Sequence, residues 1–94
     1  MLTSKERATL RAIANNTETI IQIGKDGITE NVVRQADEAL TARELIKLRV
    51  LDSSGLKAKE ACTELAKQLS AEPVQSIGTR FVLYRQSKEK KIKF

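Results

Sequence analysis

Gly24 and Gly27 stand three residues apart in the stretch IIQIGKDGITENVV, residues 20 to 33, with Lys25 and Asp26 between them. An apolar, β-branched run precedes the pair and a helix-like run follows it. Glycine lacks a Cβ, so such a turn can take positive φ and let a second chain approach the backbone closely. The helix that follows begins near Thr29. Its free amides and positive dipole end therefore face the same space and favour an anion there. Lys25 adds a mobile cation. The chemistry this arrangement offers is non-covalent capture of a phosphate or a nucleotide backbone. Taken alone, GKDG also reads as an ordinary tight strand–helix turn, and Asp26 and Glu30 oppose phosphate while suiting a helix start.

Other chemistries lack their residues. The chain has no histidine, which removes the commonest general base and the commonest metal ligand together. A single cysteine, Cys62, forms neither a zinc cluster nor an internal disulfide, and it falls on the apolar stripe of a helix. GKDG fits neither the phosphate loop G-x-x-x-x-G-K-[ST] nor the dinucleotide motif G-x-G-x-x-G. The aromatics are only Phe81, Tyr84 and Phe94, too few for a base-stacking platform. No enzyme, metal or cofactor is expected, and an RNA ligand would be gripped by backbone and shape.

Recurring patterns predict the elements that must hold the loop. Thr3 and Glu6 form a capping box, after which Leu10, Ile13 and Ala14 share a face until Asn15-Asn16. ETIIQI, residues 18 to 23, reads as a strand ending at Gly24. Thr29 caps a helix carrying Val32, Val33, Ala36, Ala39 and Leu40. ELIKLRVL, residues 44 to 51, is a second strand with Ile46, Leu48 and Val50 on one side and Lys47 and Arg49 on the other. Asp52-Ser53-Ser54-Gly55 breaks the chain. A third helix from about Lys57 to Leu69 buries Ala61, Cys62, Leu65, Ala66 and Leu69. Pro73 ends that region, and VQSI and RFVLYR form a hairpin about Gly78-Thr79.

The order is α-β-α-β-α-β-β, a single α/β (mixed α+β) domain with a four-stranded mixed sheet packed with helices. In a parallel crossover the loops after the first and second strands emerge at one edge. GKDG should then lie beside Asp52–Gly55, Lys57 and Lys59, with Lys47 and Arg49 leading toward them.

The net charge of +5 is unevenly placed. Residues 1 to 79 carry 11 basic and 11 acidic groups, whereas RFVLYRQSKEKKIKF, residues 80 to 94, carries six basic and one. The whole excess lies in that segment, which suggests a polyanionic partner, nucleic acid before membrane. No apolar run could cross a bilayer, and the first sixteen residues have no apolar signal core. With one cysteine, a cytoplasmic protein is expected.

The ordered set IGKDGITENVV, ELIKLRVL and VQSIGTRFVLYRQSKEKKI resembles the CRM domain, named for chloroplast RNA splicing and ribosome maturation. The likeness runs from about residue 2 to residue 93 and is greatest to the bacterial stand-alone YhbY members. It departs from the family in having NNTET where a proline often precedes the first strand. The resemblance implies a fold like the C-terminal domain of bacterial translation initiation factor three. It also implies RNA binding without catalysis, in assembly of the large (50S) ribosomal subunit on precursor rRNA. By the same likeness Gly24, Lys25, Asp26 and Gly27 form an RNA-contact loop. Lys47, Arg49 and Lys57 would supply charge there, and Lys88, Lys90, Lys91 and Lys93 would add nonspecific attraction. The expected layout is a CRM domain over residues 1–87 and a basic tail over 88–94, in a monomer. A docking module that reaches pre-ribosomes through protein contacts is the alternative, as is a more general RNA-binding or splicing-type module.

Overall fold

In the computed structural model, residues 2–92 are described, and they form three layers. The elements are α1 (Ser4–Ala14), β1 (Thr19–Ile23), α2 (Glu30–Arg43), β2 (Leu45–Val50), a 3-10 turn (Asp52–Ser54), α3 (Ala58–Leu69), β3 (Glu72–Ile77) and β4 (Arg80–Tyr84). The helix starts are those the sequence predicts. Thr3 and Glu6 close a reciprocal capping box, and Thr29 accepts from the Val32 amide at 3.2 Å.

The four strands lie in the order β1-β2-β4-β3. β1 and β2 are parallel, and β4 is antiparallel to both β2 and β3. β2 and β3 therefore run the same way with β4 between them. The two-residue turn Gly78-Thr79 leaves Ile77 opposite Arg80, and Gly78 sits at φ +61, as a primed hairpin turn requires.

Alternation along the strands sorts the two faces. Ile23, Ile46, Leu48, Val50, Phe81 and Leu83 point to one side, where α2 and α3 cover them with Ala36, Leu40, Ala61, Cys62 and Leu65. Leu45, Val82 and Tyr84 point to the other side, where α1 covers them with Leu10 and Ala14. Both faces are thus used, but α1 is short and shields only part of its face.

Three expectations are corrected. Ile13 is 38% exposed, because the apolar stripe of α1 narrows to Leu10 and Ala14 by its last turn. Pro73 lies inside β3 and does not end a region. β3 is an edge strand, where a missing ladder donor is tolerated, and the Pro73 carbonyl accepts from Arg7. Glu44 stands outside β2. It is the C-cap of α2, fully buried, with φ +67.

Candidate nucleic-acid interface

GKDG is a closed turn. The Gly27 amide donates to the Gly24 carbonyl at 2.9 Å, which leaves Lys25 and Asp26 exposed at the tip. Gly27 has φ +70, a conformation that L side chains adopt at a cost of about 1–2 kcal/mol. Gly24 is different. Its φ lies outside the left-handed region, and an added Cβ would meet only Leu51 Cδ1 at 3.9 Å. The expectation that both glycines serve backbone freedom is met by Gly27 alone.

Backbone hydrogen bonds tie this turn to its neighbours. The Leu51 amide donates to Ile23 O at 2.9 Å, and the Val50 amide donates to Thr79 O at 2.8 Å. The loops after β1, β2 and β3 therefore meet at one sheet edge. After β2 the chain makes its 3-10 turn, capped by Gly55 at φ +71, and enters α3 through Lys57. The Lys57 amide is held by Glu60 Oε1 at 3.1 Å, while the side chains of Lys57 and Lys59 are exposed. Gly24–Gly27 and Lys57 thus share this edge.

Lys47 and Arg49 approach it along the sheet. Both are half-buried on the α1 side of β2. Arg49 is in register with Gln22 of β1 and directly opposite Arg80 of β4. This end of the face is open: Ile20, Gln22, Ile77 and Arg80 are exposed. In the sequence Arg80 is one more cation of the charged C-terminal segment. Its place beside Arg49 follows from the pairing of β4 with β2, which no local pattern announces.

The C-terminal lysines are elsewhere. Glu44 precedes β2, so it lies at the far end of the strand from Val50, roughly 20 Å away at 3.3 Å per residue. The chain leaving β4 folds back over that end. Oε2 of Glu44 accepts from the amides of Ser87 at 2.9 Å and Lys91 at 2.8 Å and from the Ser87 hydroxyl. Oε1 accepts from the Ile92 amide at 2.8 Å. Burial alone would push the Glu44 carboxyl up. The Ser87 hydroxyl and the amides of Ile92, Lys91 and Ser87 outweigh that and hold its pKa at about 2.

Lys88, Lys90 and Lys91 are exposed around this clasp, at the opposite pole from GKDG, and Lys93 lies outside the described residues. Arg85 is also committed. Its guanidinium bonds Asp37 Oδ1 at 2.8 Å, Leu69 O at 3.0 Å, Asp37 O at 3.0 Å and Thr41 Oγ1 at 3.0 Å, joining α2, α3 and β4.

Among the described residues no group of three or more His, Cys, Asp or Glu side chains could hold a metal ion. No helix there is long and apolar enough to cross a membrane. Cys62 is buried and its thiol is pushed up by that burial, the Ser76 hydroxyl bonding it.

The sequence profile of the CRS1/YhbY (CRM) domain matches residues 2–85. The chain belongs to the CRM domain family. This CRM domain is 42% identical over 91 residues to YqeI of Bacillus subtilis, named a probable RNA-binding protein, covering 97% of this chain and 95% of that one. It is 32% identical over 91 residues to a Haemophilus influenzae protein named as RNA-binding, covering 97% and 92%. Its fold matches the solution structure of SAV1595 from Staphylococcus aureus, described as an RNA-binding candidate, with a TM-score of 0.78 and 44% identity over 97% of this chain and 95% of that one. In this CRM domain, the predicted loop and Lys57 share one edge, Lys47 and Arg49 lead to it, and the tail lysines stand apart.

Proposed function

We propose that this protein is a non-catalytic RNA-binding protein that acts on precursor large-subunit rRNA during 50S assembly, as a monomer in the cytoplasm. The observation that carries the reading is the meeting of the loops after β1, β2 and β3 at one sheet edge. That edge presents Gly24, Lys25, Asp26 and Gly27, the N-terminus of α2 and the exposed cation of Lys57. A phosphate–sugar segment seated there meets the Cβ-free backbone of Gly24 and Gly27 with the exposed cations of Lys25 and Lys57, and Lys47 and Arg49 add positive charge along the sheet. Names of relatives similar over nearly their whole length support RNA as the partner. Lys88, Lys90 and Lys91 act from the opposite pole, as long-range attraction for a large polyanion.

Crosslinking in cells followed by sequencing of the bound RNA tests the reading, with wild type and Lys25→Glu in parallel. Reads concentrated on precursor large-subunit rRNA and depleted in the variant are expected. Concentrated reads that ignore the variant would move the contact off the loop. Scattered reads would favour docking through protein, the reading to which exposed Ile77 and Ile20 lend some support.

A further inference from the structure

Arg49 and Arg80 face each other across β2 and β4 on the same side of the sheet. Directly opposed residues of an antiparallel pair hold their Cβ atoms about 4.5–5.5 Å apart, and like charges at that spacing repel. No acidic side chain relieves them: among the described residues neither arginine has a salt bridge or a side-chain hydrogen bond. Nε of Arg49 is in fact buried with no hydrogen-bond acceptor at all. A buried donor left without a partner is destabilising, the more so when it is charged. The contrast with Arg85, whose guanidinium meets four acceptors, is plain. Two cations opposed without a counter-charge, one with an unmet donor, are the reverse of a structural pair.

Their surroundings show what would complete them. α1 stops short of this end of the face, so the arginines open to solvent between exposed Gln22 of β1 and exposed Ile77 of β3. Arg49 is also level with Gln22, two residues before Gly24, so the pair lies just below the loop edge. A guanidinium binds phosphate through two parallel N–H donors, and Nε is one of those it can use after a small turn of the side chain.

Resting on the RNA reading above, we infer that Arg49 and Arg80 clamp a single phosphate of the bound strand. The RNA then passes from the Gly24–Gly27 loop onto the open half of the sheet, and Ile20 and Ile77 bound its track. The phosphate neutralises the opposed charges and gives Arg49 Nε its acceptor. The track leads along the sheet face and involves none of the tail lysines.

The test measures fluorescence anisotropy of a labelled, mixed-sequence single-stranded RNA of about 16 nucleotides. Salt is varied between about 50 and 200 mM for wild type, Arg80→Gln, Arg49→Gln, the double variant and Lys25→Glu. Each single arginine variant should lose about tenfold in affinity and flatten the slope of log affinity against log salt by about 0.7, the value for one phosphate of a single strand. The double variant should lose no more slope than either single one, because both arginines serve one phosphate. Thermal melting should show Arg80→Gln no less stable than wild type, since a repulsion has been removed. Arg49→Lys, which keeps the charge and loses the fork, should bind more weakly than wild type.

Arginine variants that bind like wild type while Lys25→Glu is weakened would overturn the clamp and leave the RNA reading standing. A doubled loss of slope in the double variant would overturn the shared phosphate. Wild type with no salt-dependent binding would remove the RNA reading, and the clamp with it.

Discussion

The backbone amide of Lys91 donates to Oε2 of Glu44 at 2.8 Å, across 47 residues of sequence. Glu44 holds this position at φ +67, a backbone conformation that costs a non-glycine residue of order 1–3 kcal/mol. What offsets the cost is the set of donors converging on its carboxylate: the Ser87 amide and hydroxyl and the amides of Lys91 and Ile92. A segment that reads as a free basic tail is pinned at this point, with Ile92 packed on the cluster of Leu10, Leu45 and Tyr84.

The clasp should open in acid. The carboxyl value falls from an ordinary 4.5 to about 2 in the folded chain, so its contribution is complete at neutral pH and is lost as pH drops from about 4.5 towards 2. Glu44→Gln removes the charge at every pH. In that variant the Ser87, Lys91 and Ile92 amides should exchange with solvent at least tenfold faster at neutral pH, as read by NMR hydrogen exchange. Unchanged protection would mean that packing of Ile92 holds the segment.

The two loop glycines should separate cleanly. Gly27→Ala should cost about 1–2 kcal/mol of stability in urea unfolding, because the new Cβ meets a left-handed backbone. Gly24→Ala should change stability by less than about 0.5 kcal/mol, since its Cβ makes only an ordinary contact. Gly24→Ala is therefore the cleaner probe of function: a loss of RNA affinity in that variant reports an approach to the backbone that the fold itself does not need.

Arg85→Ala should destabilise without touching recognition. Its four hydrogen bonds bridge α2, α3 and the end of β4, and losing them should cost about 2 kcal/mol, or roughly 10 °C in the thermal midpoint. RNA affinity measured well below that midpoint should stay within twofold of wild type. A large loss of affinity in a folded variant would make Arg85 part of the binding surface.

Cys62 should be silent to thiol reagents in the native state. It is buried in the α3 stripe, and the same burial keeps its thiol protonated at mildly alkaline pH. Labelling should follow the rate of global unfolding, and rapid labelling of folded protein would contradict the packing.

The α-β-α-β-α-β-β order was legible because two of the three helices carry their own start signal, Thr3 with Glu6 for α1 and Thr29 for α2, because Asp52–Gly55 marks the break before α3, and because β2 alternates along its length. The shared loop edge followed from the parallel β1–β2 step. What stayed hidden depended on contacts distant in sequence. ELIK reads as a strand start, and only the returning chain reveals Glu44 as the group that holds residues 87–92. Arg80 looks like one more C-terminal cation until β4 is seen to pair with β2 rather than to extend the sheet beyond β3. Pro73 reads as a stop, and its place on an edge strand depends on the same insertion.

That insertion also sets a timetable for biosynthesis. β4 is translated after all the strands it joins, yet it occupies the interior of the sheet. A nascent chain that ends before Arg80 has β1 and β2 on one side and β3 on the other, with nothing to bridge them, and Phe81 and Leu83 are missing from the core. Cooperative collapse must therefore wait until this strand has cleared the ribosome, so the domain is made first and folded afterwards, in one late step.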